Sequence, residues 1–325
     1  MENEFFQQRT DLTQLNQTIE AIRTMVGKVI VGQEQMVDLM IAGILADGHI
    51  LIEGVPGVAK TLSAKLMAKL IDAEFSRIQF TPDLMPSDVL GTSVFNPKEA
   101  SFQFKQGPLF SNIILIDEIN RAPAKTQSAL FEVMEERQVT IDGTTFPMRQ
   151  PFMVLATQNP IDQEGTYRLP EAQLDRFLFK IEVGYPTLEQ EIKILENQHG
   201  SDNRHLLNEV SKLISSSELT TYRERVLQLL IEPKLLEFVA KIVNETRNNP
   251  SLFLGASPRA SLAIVKAAKA FAAIAGRDFV TPEDIVEVSP HVLRHRIILT
   301  PEKEMEGLTA DDLIDRIIKS IEIPR

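Results

Sequence analysis

Cysteine and tryptophan are absent from this sequence, aromatic side chains are scarce at 6%, and no long hydrophobic run occurs. Without cysteine there is no disulfide framework and no thiolate chemistry, a composition that suits a reducing compartment. No apolar stretch approaches the roughly 20 residues needed to cross a bilayer. The polar, acidic stretch from Met1 to Gln17 is unlike a signal peptide. An excess of acid (45 Asp and Glu against 34 Lys and Arg, net charge −11) speaks against a duplex-binding surface, which needs a basic face. The expectation is a soluble, cytoplasmic protein with no direct membrane insertion and no nucleic-acid partner. What is present is ordinary for a globular chain: 43% hydrophobic and 24% charged residues, in a length of 325 that suffices for one large or two medium domains.

The most informative stretch is Gly54-Val55-Pro56-Gly57-Val58-Ala59-Lys60-Thr61. The apolar run Ile50-Leu51-Ile52 enters it, and a helical pattern from Leu62 to Leu70 leaves it. Gly54 and Gly57 allow the backbone to curl so that several N–H groups point inward, where the new helix adds its positive end. A phosphate chain fits such a loop, with Lys60 reaching the β/γ-phosphates and the Thr61 hydroxyl ligating Mg²⁺. Ala59 departs from the general pattern, which has glycine there, and alanine is acceptable if its φ is negative.

Apolar strands alternate with helices through the first part of the chain, which implies a parallel sheet covered on both faces. The strands expected are 50–52, 75–80, 111–116, 152–157 and 177–183. The stretch Thr81 to Pro108, with four prolines, reads as an inserted hairpin with Phe102-Gln103-Phe104 as one arm. A second hairpin is expected at 138–148, where Asp142-Gly143 separates two alternating runs. After Pro186 the pattern is helical throughout: Leu235, Phe238, Val239 and Ile242 keep i, i+3, i+4, i+7 spacing, and an alanine-rich helix runs from Pro258 to Ala275. The boundary falls at about 186–205, giving an αβα core over 1–195 and an all-helical lid over 196–325.

A phosphate loop needs a metal partner and a group that activates water. Asp117, ending the strand Ile113-Ile114-Leu115-Ile116, is placed to hold Mg²⁺ directly or through its waters, and Glu118 beside it can polarise the attacking water. The plainer use of such a pair is to cap a helix. Asn159 could hold that water or the γ-phosphate, or could simply start a turn with Pro160. Phosphoryl transfer also calls for positive charge from outside the loop. Arg176, before the last core strand, and Arg259, at the start of the alanine-rich helix, are the candidates, with Arg168 a lesser one. Each could instead pair with a surface carboxylate.

Taken together, these residues resemble the MoxR group of AAA+ ATPases. The parts that carry the resemblance are the loop at 54–61, Ile116-Asp117-Glu118-Ile119-Asn120-Arg121-Ala122, Ala156-Thr157-Gln158-Asn159-Pro160 and Leu169-Pro170-Glu171-Ala172-Gln173-Leu174-Asp175-Arg176-Phe177. Ala59 is familiar within that group. The resemblance implies an AAA+ P-loop core with a parallel five-stranded sheet flanked by helices, followed by the helical lid. It implies ATP as the nucleotide, with Val31, Gly32 and Gln33 packing on the adenine and the loop through Leu62 holding the phosphates. Asn159 then looks like sensor 1, Arg176 like an arginine finger completing a neighbour's site, and Arg259 like sensor 2, reaching its own nucleotide from the lid. The inserts at about 84–106 and 138–148 resemble the helix-2 insert and the pre-sensor-1 hairpin, facing the opening of a hexameric ring.

The function implied is Mg²⁺-dependent ATP hydrolysis coupled to remodelling of a client protein, often beside a von Willebrand factor A (VWA) domain protein. The competing readings are a chelatase-like motor for metal insertion, a nucleic-acid motor or loader, and a nucleotide-dependent scaffold with negligible turnover. Glu118 argues against the scaffold. Replacing it isosterically, Glu118→Gln, is expected to retain ATP binding and reduce turnover at least about 100-fold; nucleotide-binding and phosphate-release assays on the same preparation check this.

Overall fold

A strand buried on both faces must be apolar along its whole length, and the strands that read that way form the central sheet. The computed structural model describes residues 10–55, 57–159, 167, 169–200 and 210–324. In chain order come α1 (Thr13–Val29), α2 (Glu34–Leu45), β1 (His49–Gly54), α3 (Lys60–Leu70), β2 (Phe75–Gln79), α4 (Pro86–Leu90), β3 (Gly91–Asn96), β4 (Ser101–Gln106) and β5 (Ile113–Asp117). Then follow α5 (Ala124–Glu136), β6 (Gln138–Ile141), β7 (Thr144–Pro147), β8 (Met153–Gln158), α6 (Glu171–Leu174), β9 (Phe177–Val183) and α7 (Leu188–Gly200). The remainder is α8 (Ser216–Leu227), α9 (Pro233–Asn248), β10 (Leu252–Leu254), α10 (Pro258–Ile274), α11 (Pro282–Leu293), β11 (Ile298–Leu299), α12 (Pro301–Met305) and α13 (Ala310–Ser320).

The sheet has five parallel strands in the order β2-β5-β8-β1-β9. Period-two alternation divides their side chains between two cores. Ile50, Ile52, Ile113, Leu115, Met153 and Leu155 join the core with α1, α2, α3 and the C-terminal helices. Leu51, Ile114, Ile116, Val154, Ala156 and Phe177 join the other core, under α5 and the hairpins. Because the strands are parallel, β1, β5 and β8 all deliver their last residues to one edge. This is where open α/β sheets bind ligands.

Both expected hairpins form, β3 with β4 and β6 with β7, and they are fastened together. The Ser93 hydroxyl donates to Asp142 Oδ2 at 2.5 Å, and the rings of Phe104 and Phe146 lie 4.6 Å apart. Near the tip of the first hairpin, Phe95 and Phe102 meet edge to face at 5.3 Å while Phe102 stays 72% exposed.

The C-terminal part is helical with one departure from expectation: β10 and β11 pair antiparallel. They are only three and two residues long, too short to give an alternation signal in the sequence. Part of the expected domain boundary, 201–205, lies outside the described residues.

At the start of β1, His49 is buried between strand and helix. Its Nδ1 accepts the Val154 N–H at 3.0 Å, so the proton is on Nε2, which donates to the Met134 carbonyl at 3.2 Å. Burial, assisted by the nearby Arg137 charge, lowers its pKa to about 4. The unfolded chain therefore takes up a proton before the folded one does. Stability should fall as pH drops from about 6.5 to about 4, by on the order of 3 kcal/mol from this residue, and level off below. Thermal melts across that range check it, and His49→Asn should flatten part of the slope.

Candidate functional site

The loop after β1 owes its shape to two different glycine requirements. At Gly54 a Cβ would stand 2.6 Å from the Val183 carbonyl oxygen, so glycine is needed for the close approach of β9. At Gly57 nothing is crowded, but φ is +90°, which glycine adopts without strain. Ala59 has φ +59°, in the left-handed region, so the condition under which alanine would sit there without strain is not met. A glycine would be unstrained there; the alanine holds a conformation costing on the order of 1–2 kcal/mol. Val58 is buried, and Val55 and Leu62 pack partly buried against the same core, so only their backbone can face a phosphate.

Lys60 opens α3, with Thr61 next to it. Its ammonium donates to the Gly54 carbonyl at 2.7 Å. Burial lowers the Lys60 pKa, and the fields of Asp117, Glu118 and Glu53 oppose that shift, so all three carboxylates lie close enough to act on it.

Asp117 is buried at the end of β5 with both oxygens engaged. Arg77 on β2 donates its Nε–H to Oδ2 at 2.6 Å, and the Thr157 hydroxyl donates to Oδ1 at 3.1 Å. The same hydroxyl accepts the Glu118 N–H at 3.0 Å, tying the Asp117 carboxylate and the Glu118 backbone to one oxygen of β8. Glu118 has φ +57°, a left-handed backbone that swings its carboxylate away from the strand direction. There Gln79 donates to its Oε2 at 3.0 Å and Arg121 Nε lies 2.9 Å from the same atom. Asn159 follows β8, between the strands that carry the loop and Asp117. Thr61 and Asp117 offer a hydroxyl and a carboxylate beside a phosphate loop, a donor set that fits Mg²⁺, which takes few protein oxygens and completes its shell with phosphate and water. Among the described residues there is no group of three or more His, Cys, Asp or Glu that could hold a metal by itself.

Beside this edge, Gly32 and Gln33 line a cavity of about 220 Å³ together with Val183, Gly184 and Tyr185. It adjoins Gly54 through β9, so a base in it could be joined to phosphates on the loop. Val31 lies just outside it, half-buried. Pro56, Pro160 and Arg168 lie outside the described residues.

The two arginines gather elsewhere. Arg176 precedes Phe177, which pairs in register with His49 at the amino end of β1. Arg259 sits on the first turn of α10, and its Nη1 and Nη2 grip Glu135 of α5 at 3.2 and 2.8 Å. Arg176 Nε is 3.5 Å from the same carboxylate, and its Nη1 donates to the Ala172 carbonyl at 2.8 Å. β1 has six residues, so at about 3.3 Å each this cluster is roughly 16 Å from the loop. Within its own chain Arg259 therefore lies at the opposite end of β1 from the loop that the resemblance has it reach. The cause is how the C-terminal part is docked. Buried Arg296 donates to Asp175 Oδ1 at 2.7 Å and to the Phe177 carbonyl at 2.6 Å, while Ser257, the residue capping α10, donates to Asp175 Oδ2 at 2.9 Å.

The sequence reading missed several residues here. Thr157 lies inside a quoted motif but reads as an ordinary strand end. Arg77 and Gln79 share one face of an exposed edge strand, a period-two signal that could have drawn attention to them. Glu135 has no local signal at all.

The geometry defines a P-loop nucleotide triphosphatase with a helical C-terminal part on an αβα core. Residues 49–179 match the family described as "ATPase family associated with various cellular activities (AAA)", and residues 244–317 match the AAA lid domain. Chaperone MoxR1 of Mycobacterium tuberculosis is 44% identical, covering 95% of this chain and 83% of its own. YeaC of Bacillus subtilis is 45% identical over 92% of both chains. The crystal structure of a Cytophaga hutchinsonii protein superposes with a TM-score of 0.88 at 44% identity, covering 96% of this chain and 97% of that one. The chain belongs to the MoxR family of AAA+ ATPases and hydrolyses ATP.

Because one hydroxyl serves both Asp117 and the Glu118 backbone, Thr157→Val should slow turnover about 10–100-fold. It strands a buried N–H, which costs about 1–3 kcal/mol. Steady-state ATPase rates and thermal melts on the purified variant check both effects.

Proposed function

We propose that the protein works as a nucleotide-dependent ring, a hexamer, in which Mg²⁺-dependent ATP hydrolysis drives remodelling of a client protein. The observation that carries the proposal is the position of Arg176 and Arg259 on one carboxylate, at the sheet edge opposite Lys60. Charges placed there can reach a γ-phosphate only on another molecule, so both arginines act in trans. An oligomer is then a condition of catalysis rather than an accessory to it.

At each interface, Lys60 exchanges the Gly54 carbonyl for the β/γ-phosphates, and the loop N–H groups and the start of α3 hold the remaining charge. The adenine lies in the cavity beside Gly32 and Gln33. Thr61 and Asp117 would hold Mg²⁺, which when bound neutralises charge on the phosphate oxygens. Glu118, steered by Gln79 and Arg121, polarises the attacking water, and Asn159 orients it against the γ-phosphate. Arg176 and Arg259 of the next subunit stabilise the charge that develops in the transition state. Loss of that phosphate frees the arginines, and the resulting subunit movement carries the paired hairpins with Phe95 and Phe102, which act on the client in the ring opening.

The αβα core is taken as 1–195 and the lid as 196–325. The name of the Mycobacterium relative, a chaperone, supports the remodelling role, and a VWA-domain partner is proposed on the family resemblance. A cytoplasmic location suits a chain in which no described helix is long and apolar enough to cross a membrane.

Light scattering after size exclusion tests the ring. In the Glu118→Gln background, ATP and Mg²⁺ should drive assembly to about six subunits, which adding Arg176→Ala should abolish; in the chain that keeps Glu118, Arg176→Ala should cut turnover at least about 100-fold. Mixing tests the trans assignment. Equal amounts of Lys60→Ala and Arg259→Ala subunits should recover activity that neither has alone, because each supplies the half the other lacks. If Arg259 acts in cis, the mixture stays at the sum of the separate rates.

A further inference from the structure

Glu135 is placed against the rules of its own helix. It lies in the last turn of α5, with Glu136 after it and no basic residue in that turn, at the end where the helix dipole already disfavours negative charge. A carboxylate there is accounted for by what it holds. Both oxygens face Arg259 in a bidentate pair, and one of them also faces Arg176 Nε. The neighbouring arginines are held by other acids: Arg137 shares Asp47 with Arg223, and Arg296 pairs with Asp175. Among the described residues, Arg176 and Arg259 share Glu135 as their one acidic partner, so two positive charges are answered by one negative.

The contact is also exchangeable. Arg259 is 55% exposed, Glu135 35% and Arg176 26%, beside an open cavity of about 280 Å³. Ion pairs this exposed are weak in water. A triphosphate entering between subunits brings more charge into a drier site, where its pull on guanidinium is stronger. Arg259 cannot offer the same fork to a phosphate while Glu135 occupies it.

We propose that Glu135 is a positioning residue that stands in for the neighbour's γ-phosphate. It holds Arg176 and Arg259 together around an anion and withholds them until ATP on the adjoining subunit displaces it. Each subunit therefore carries its trans arginines in a half-neutralised state. Assembly becomes responsive to ATP because the nucleotide must compete with an internal carboxylate. This rests on the trans reading of both arginines.

The test is the ATP concentration at half-assembly, followed by light scattering with the full chain and Mg²⁺ in the Glu118→Gln background. Glu135→Gln removes the competing charge and keeps the side-chain shape. It should lower the midpoint about threefold or more and steepen its dependence on salt, since more net positive charge then faces the triphosphate. Glu135→Asp keeps the charge and should shift the midpoint less. An unchanged or raised midpoint for Glu135→Gln, in a variant whose thermal melt matches the parent, would overturn the proposal and assign Glu135 to holding the arginines in shape. Failure of the trans reading itself is seen separately, as a mixture of Lys60→Ala and Arg259→Ala subunits that recovers no activity.

Discussion

Arg296 is almost fully buried, and its guanidinium is satisfied by one carboxylate and several backbone carbonyls. It donates to Asp175 Oδ1, to the Asp175, Phe177 and Leu178 carbonyls, and back to the carbonyl of Val292 in the last turn of α11, the helix that precedes it. A buried charge is tolerated only when paired and hydrogen-bonded to this degree, and removing one partner leaves an uncompensated ion. The consequence is geometric. Residues 294–296 are fixed to the start of β9, His295 and Arg294 adding contacts to the Phe177 and Lys180 carbonyls. The same Asp175 receives Ser257, so the first turn of α10 is set against the amino edge of the sheet. The first turn of α10 is thereby held at the amino end of β9, while the C-terminal helices as a whole also cover the α1–α3 face of the core, His291 reaching Gln35 at 3.3 Å. The pairing of Arg259 with Arg176 on Glu135 follows from that placement.

The catalytic edge is arranged on a different principle. Asp117 and Glu118 are consecutive yet have separate environments because the chain turns left-handed at Glu118. Asp117 stays in the buried strand with both oxygens occupied, whereas Glu118 is turned toward Gln79 and Arg121. Thr157 on the intervening strand fixes the turn by serving both residues. Local strain at Ala59 and Glu118 is held in place by a sheet whose core is fully packed on both faces, as expected where function rather than stability sets the backbone.

Much of this was legible in the sequence because it is local. The phosphate loop is a continuous segment between an apolar strand and a helix. The second hairpin is announced by alternation around Asp142-Gly143, and the first by a proline-containing insert with Phe102-Gln103-Phe104 as one arm. Asp117 and Glu118 could be read because a strand end and its two carboxylates are adjacent in the chain. The φ of Ala59 is not legible because side-chain identity states a preference, while the surrounding fold decides whether the preference is met. Thr157, Arg77 and Gln79 were passed over since each acts on a residue about 40 positions away, through strand neighbours the sequence does not name.

The sequence by itself determined which residues are available for the proposed chemistry: the 54–62 loop for a triphosphate, two adjacent carboxylates after a buried strand, and arginines elsewhere in the chain. These depend on residue type and short spacing, which the chain carries directly. Only the tertiary structure decided where the arginines could act. Glu135, Arg176 and Arg259 are separated by tens of residues, and their meeting depends on the strand order and on the buried Asp175–Arg296 contact that directs the C-terminal helices. Which end of a sheet a helical domain docks against is set by long-range packing and a few desolvated polar contacts, and helical periodicity is the same at either end.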